Sequence, residues 1–180
     1  MKLFYKLILL VIILKFNMIF GQKIAGYSFE EYKVEVISSV KKAKINYLSN
    51  KIAKEFKTRI TDGYKDGKIN FAGHYITIIW GCGTACASGA MVDVLTGNVY
   101  EIPLGETTYY YGCNLKDNED CMFYNSKSTL FVTCFCTENI INTTESNQKK
   151  EFFINVWNEK NKKFTLIKKV IENEIVKSDN

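Results

Sequence analysis

INFAGHYITIIWGCGTACASGAMVDVLTGNVYEIP, residues 69–103, holds the only histidine of a 180-residue chain, two of its six cysteines and five of its eleven glycines. HYITIIW (74–80), SGAMVDV (88–94) and NVYEI (98–102) are rich in β-branched and aromatic residues with a period near two, so each predicts a strand. Residues 81–86 predict a six-residue loop, and Leu95-Thr96-Gly97-Asn98 a tight hairpin turn. With that loop length Trp80 faces Ala87, Ile78 faces Gly89, Ile76 faces Met91 and His74 faces Asp93. Large side chains then lie opposite small ones, an arrangement that fixes register. Gly81 and Gly83 supply backbone freedom, and a Cys82–Cys86 bridge would clamp the loop.

The same period recurs downstream in STLFVTCFC (128–136), EFFINVW (151–157) and KFTLIKKV (163–170), the last two joined by a turn at 158–162. The polar runs 115–120 and 137–150 predict loops. Upstream, Ser49 and Asn50 offer an N-cap to one amphipathic helix, with Ile52, Ala53, Phe56 and Ile60 at spacings of three and four, ending near Gly67. YKVEVI (32–37) alternates apolar and charged residues and predicts an extended first strand. The fold class is mainly β with one N-terminal amphipathic helix, stapled by disulfides.

Residues 1–21 place Lys2 and Lys6 before an apolar run from Leu7 to Leu14 and reach a small residue at Gly21, as a secretory signal peptide does. Lys15 interrupts the run too early for a comfortable span of a ~30 Å hydrocarbon core, the rival reading. Residues 22–180 then form one exported domain, secreted or periplasmic, with no stable membrane span after cleavage. No cysteine adjoins the cut to carry a lipid. Removing the leader lowers the formal charge from +5 to +2 over 159 residues, which together with the lack of a basic stripe argues against nucleic acid as a partner.

Cys82, Cys86, Cys113, Cys121, Cys134 and Cys136 all lie in the exported part, where thiols pair. Cys134 and Cys136 share one strand face and bond elsewhere rather than to each other. The expected pairing is Cys82 with Cys86, and Cys113 and Cys121 with the Cys134/Cys136 pair, in an order the sequence leaves open. A zinc site would want four ligands at recognisable spacing, and a redox centre Cys-x-x-Cys at a helix start; Cys-x3-Cys in a hairpin is neither. No metal and no cofactor are expected.

His74 beside Asp93 is the sharpest catalytic candidate, since a carboxylate bound to one imidazole nitrogen orients the other for proton transfer. In the expected register Ser88 points to the opposite face, and no Gly-x-Ser-x-Gly elbow occurs, so a structural pair is favoured over a catalytic one. Tyr109, Tyr110 and Tyr111, on a long loop from 105 to 121, and Thr84 at the hairpin loop offer rigid contact surface.

Asn70-Phe71-Ala72-Gly73-His74-Tyr75, then Trp80-Gly81-Cys82-Gly83-Thr84-x-Cys86, then Val92-Asp93-x-x-Thr96-Gly97-x-Val99-Tyr100 resembles an uncharacterised family of exported bacterial proteins. The resemblance implies export and a single domain, and transfers no catalytic residue. The Asp-x-x-Thr-Gly-x-Val turn is also similar to turns in β-propeller blades. The strand periods and hairpin turns predict an antiparallel sheet, and the likeness implies that residues 72–102 and 128–170 could instead form two small blade-like sheets, too few to close a propeller.

The function expected is a disulfide-stabilised binding module for an unknown protein or small ligand outside the cytoplasm. A hydrolase using His74 and Asp93, or a structural envelope component, are the alternatives. An exposed His74 in a pocket with a nearby hydroxyl or water position would favour the hydrolase.

Overall fold

The computed structural model describes residues 23–84, 86–113 and 121–177. The leader 1–21 and the loop 115–120 lie outside the described residues. Two antiparallel hairpin systems stack against one another, a helical layer covers the outer face of one, and an N-terminal segment covers part of the other.

The first system is β3 (Tyr75–Gly83), β4 (Cys86–Asp93) and β5 (Val99–Glu101), in that order. Its register differs from the expected one by a single residue: Trp80 pairs with Ser88, Ile78 with Ala90, Ile76 with Val92, and Tyr75, not His74, with Asp93. The cause is at the tip. Strand pairing continues through Gly81 to a Gly83–Cys86 pair, with an irregularity between Gly81 and Gly83, so the six-residue loop is replaced by a bulged, shorter one. The slip also moves Ser88 onto the face of Trp80, where the expected register had it opposite.

Ile76, Ile78, Trp80, Ala90 and Val92 line the outer face of this sheet and pack on the helices. In place of one N-terminal helix there are two, α1 (Lys51–Glu55) and α2 (Lys57–Asp66), broken at Phe56 with φ −112° and ψ 32°. The break lets the Phe56 ring stack on Trp80 at 4.9 Å. Asn50 caps α1 by accepting from the Ile52 amide. Lys42 Nζ closes the other end, donating to the carbonyls of Tyr64 and Gly67 at 2.6 Å and of Lys65 at 3.0 Å. Gly63 falls where a Cβ would lie 2.5 Å from Ile78 Cγ2, so the missing side chain allows α2 to seat directly on β3.

The second system runs β10 (Lys163–Lys177), β9 (Glu145–Asn158), β8 (Leu130–Ile140), β6 (Tyr110–Gly112), with β7 (Met122–Phe123) also paired to β8. β6 joins β8 in parallel, the exception in an otherwise antiparallel arrangement. Polar residues 137–150, expected as a loop, instead continue the ladder to Ile140 and resume it at Glu145, because backbone pairing does not require an apolar face. Residues 32–37 form no strand. They lie along the turns of both sheets through an isolated Lys33–Ser128 bridge and through Val34 N–H to the Lys127 carbonyl and Ile37 N–H to the Gly73 carbonyl.

Three disulfides are present: Cys82–Cys86, Cys113–Cys136 and Cys121–Cys134, with Cα separations of 5.3, 5.6 and 4.7 Å. The last two pass through a core of Ile24, Leu130, Val132, Phe152 and Ile154, which the short hairpin β1 (Lys23–Ile24) and β2 (Tyr27–Ser28) helps to cover. The two systems meet through Phe71, Tyr75 and Met91 on one side and Phe131 and Trp157 on the other. Phe71 contacts the rings of Tyr75, Tyr124, Phe131 and Phe164, all with centroids within 6.4 Å. Among the described residues no helix is long and apolar enough to cross a membrane.

Candidate functional site

The turn after β4 accounts for Asp93. Its carboxylate accepts from the Leu95 amide at 2.8 Å and the Thr96 hydroxyl at 2.9 Å, and its carbonyl accepts from the Gly97 amide. Gly97 sits at φ +75°, and a Cβ there would lie 1.9 Å from the Lys44 carbonyl oxygen. The Asp-x-x-Thr-Gly string is therefore a turn lock pressed against residues 43–46. Asp93 is 1 % exposed, and its oxygens serve the turn.

The His74 carbonyl accepts from the Val94 amide at 3.0 Å, but its side chain lies beside this turn without a close hydrogen bond to it. Its Nε2 is 3.9 Å from Asp93 Oδ1 and 3.4 Å from Glu159 Oε1, and its ring lies 4.3 Å from that of Tyr75. The side chain is 17 % exposed. The same nitrogen faces both carboxylates.

Glu159, at the turn between β9 and β10, is the residue sequence reasoning missed. Its Oε2 accepts from the Tyr75 hydroxyl at 2.6 Å and from Trp157 Nε1 at 2.7 Å. Its Oε1 pairs with Lys162, whose ammonium also donates to the Tyr75 hydroxyl at 2.8 Å. Lys162 Nζ further lies 5.5 Å from the Tyr75 ring centroid and 5.9 Å from that of Tyr100. One carboxylate thus joins a β3 tyrosine to the end of the other hairpin. Burial pushes the Tyr75 hydroxyl far above the ordinary tyrosine range, and its bond to Glu159 adds to the rise. Burial pushes the Glu159 carboxyl up, but the donors Lys162, Tyr75 and Trp157 outweigh it and leave the group below its ordinary value.

Next to this clamp opens a cleft of about 400 Å³. Tyr100, Trp157 and Phe164 supply aromatic walls, and Lys162, Lys163 and Asn50 supply donors. Glu101 lines it as well. Trp157 is fixed from two sides, with Tyr100 at 5.3 Å and Phe164 at 5.1 Å between ring centroids. A clue was available in sequence: Trp157, Glu159 and Lys162 fall within six residues, and Tyr100 lies near the end of the opening stretch. Their convergence was not, since it depends on how the two hairpins stack.

The expected contact residues sit elsewhere. Thr84 is exposed at the β3–β4 tip, Tyr109 is half-buried against the disulfide-bearing core, and Tyr110 is at the exposed margin, its ring 5.0 Å from Phe135. The side chain of Tyr111 lies outside the described residues. Thr84, Tyr109 and Tyr110 do not line the cleft. Among the described residues no group of three or more His, Cys, Asp and Glu is placed to hold a metal ion. Compared with known protein families, curated proteins and solved structures, the chain matches none.

Proposed function

We propose that the chain is an exported, disulfide-stapled binding module, secreted or periplasmic, that takes a small organic ligand in the cleft beside Glu159. The observation that carries this reading is the rigid wall of Tyr100, Trp157 and Phe164, with the donors Lys162, Lys163 and Asn50 at the same opening. Small-molecule sites combine a mostly apolar, pre-formed surface with a few placed polar groups, and this cleft has that composition. The ligand it fits has a flat apolar body and an anionic or acceptor edge. Three disulfides suggest an oxidising compartment, and the leader-like residues 1–21 support export.

Binding is favoured over hydrolysis because His74 Nε2 faces two carboxylates, Asp93 is engaged in its turn, and neither residue lines the cleft. The test is a titration of isotope-labelled protein, followed by amide chemical shifts, with benzoate and indole-3-acetate as probes and a neutral disaccharide as control. Saturable shifts centred on Tyr100, Lys162 and Phe164, lost in Tyr100→Ala, are expected for the acids. Shifts confined to Thr84 and residues 109–111 would move the ligand surface to those loops. The absence of any saturable shift would remove this class of ligand from the cleft.

A further inference from the structure

β10 is the outermost strand of its sheet, and among the described strands it pairs with β9 alone. It runs for 15 residues without a proline, and Leu166, Ile167, Ile171 and Ile175 along it are 53, 41, 52 and 63 % exposed. Natural edge strands are usually kept short or blunted, because unpaired backbone groups beside apolar side chains are a template for another strand. Here a bulge between Leu166 and Lys168 interrupts the first half only. Beyond it the strand is regular to Lys177.

The charges along that regular part are divided. Lys168 and Lys169 come first, Glu172 and Glu174 follow, and Lys177, paired with Glu145 of β9, closes the strand. The segment from Lys168 to Glu174, basic at its start and acidic at its end, opposes unlike charges when it meets itself antiparallel, and like charges when it meets itself parallel in register.

We propose that a second copy of this chain pairs antiparallel along β10 about a two-fold axis at Ile171. That register places Ile171 against its own mate, Lys169 opposite Asn173, and Lys168 opposite Glu174, the last two pairs occurring twice by symmetry. Ile171 and Ile175 project from the same face as Lys169, the face that carries Phe153 and Glu151 on β9. The central isoleucine contact therefore extends an existing row of side chains. Glu174 reaches Lys150 only at 4.0 Å and is 55 % exposed, which leaves it available to a lysine from the other side. The result is an isologous dimer with one sheet continuous through both copies.

Sedimentation equilibrium on the oxidised protein tests this. The wild type is expected to dimerise, Lys168→Glu and Glu174→Lys each to weaken the dimer by about tenfold or more, and the double variant to return it towards wild type, since opposed like charges destabilise and opposed unlike charges stabilise. Ile171→Cys keeps the test independent of those charges: mild oxidation should join two copies through that position, while Asn161→Cys at the far turn should not. A protein still monomeric at about 100 µM would overturn the proposal, a concentration at which even modest association is visible. So would a dimer indifferent to both single charge reversals, or one that Ile171→Cys fails to cross-link.

Discussion

The two hairpin systems obtain their order by different means. β3 and β4 are sandwiched, with α1 and α2 on one face and the aromatic junction on the other, so that most of their side chains are buried. β8 and β9 are buried at the end that meets the junction, and there two disulfides tie β8 to the segments that precede it. Their far ends are only partly covered, Gln148 being the buried exception, and nearly all of β10 faces solvent. Where two layers cover a sheet, packing is sufficient. Where a cover is partial, the chain is cross-linked to hold the unfolded state in check.

Removing the staples of the second system should therefore have the largest effect. Loop-closure entropy assigns about 3 kcal/mol to each of Cys113–Cys136 and Cys121–Cys134, whose sequence separations are 23 and 13. Replacing all four cysteines by alanine is expected to lower the urea midpoint by the equivalent of roughly 6 kcal/mol. In the packed system the corresponding injury is a cavity. Ile60→Ala on α2, at a fully buried position, should cost about 2–5 kcal/mol by the same measurement. Little effect of the cysteine replacements beside a large one of Ile60→Ala would reverse the contrast.

The tip disulfide sharpens the comparison from within. Cys82–Cys86 closes a separation of four at an exposed end, so alanine at both positions should cost about 2 kcal/mol or less, even though the cross-link belongs to the better-packed sheet. Amide exchange near Thr84 should quicken while that of Ile76 to Ile79 stays slow.

Glu159→Gln addresses the joint between the systems. A glutamine can replace only part of the bonding to Tyr75, Trp157 and Lys162, and the site is half exposed, so a loss of about 1 kcal/mol is expected in chemical denaturation. The pH dependence has two limbs. Glu159 has a lowered value in the folded state, so its contribution is present above the ordinary glutamate value and is lost as pH falls through the folded one. Tyr75 has a raised value, so its contribution is complete below ~10 and declines as pH rises beyond it. Glu159→Gln should flatten the acid limb and Tyr75→Phe the alkaline one in stability curves measured against pH. Parallel curves for variant and wild type would show that the clamp does not couple to folding.

Much of this was legible in the sequence because period-two apolar patterning and cysteine placement are local signals. The six strand segments, the short β5 among them, the pairing of Cys82 with Cys86, and the assignment of Cys113 and Cys121 to Cys134 and Cys136 all follow from them. The one-residue slip between β3 and β4 was not legible, since a bulge at the Gly81–Gly83 step adds a residue to one strand without altering its composition. Nor was the continuation of β8 and β9 through polar residues, where backbone bonds persist without an apolar face to announce them. His74 and Asp93 attracted attention as a pair. The contact that organises the site is instead made by Glu159, a residue in a polar turn whose partner Tyr75 is 84 positions away in the chain.

Hydrogen exchange of the intact protein, followed residue by residue as a reductant is added, compares the two systems in one experiment. Amides of β8 and β9 around Val132 to Cys136 and Phe152 to Ile154 should lose protection when Cys113–Cys136 and Cys121–Cys134 open, while those of Ile76, Ile78 and Val92 retain theirs. Loss of protection in both systems together, or in β3 and β4 first, would contradict the division between a packed sheet and a stapled one.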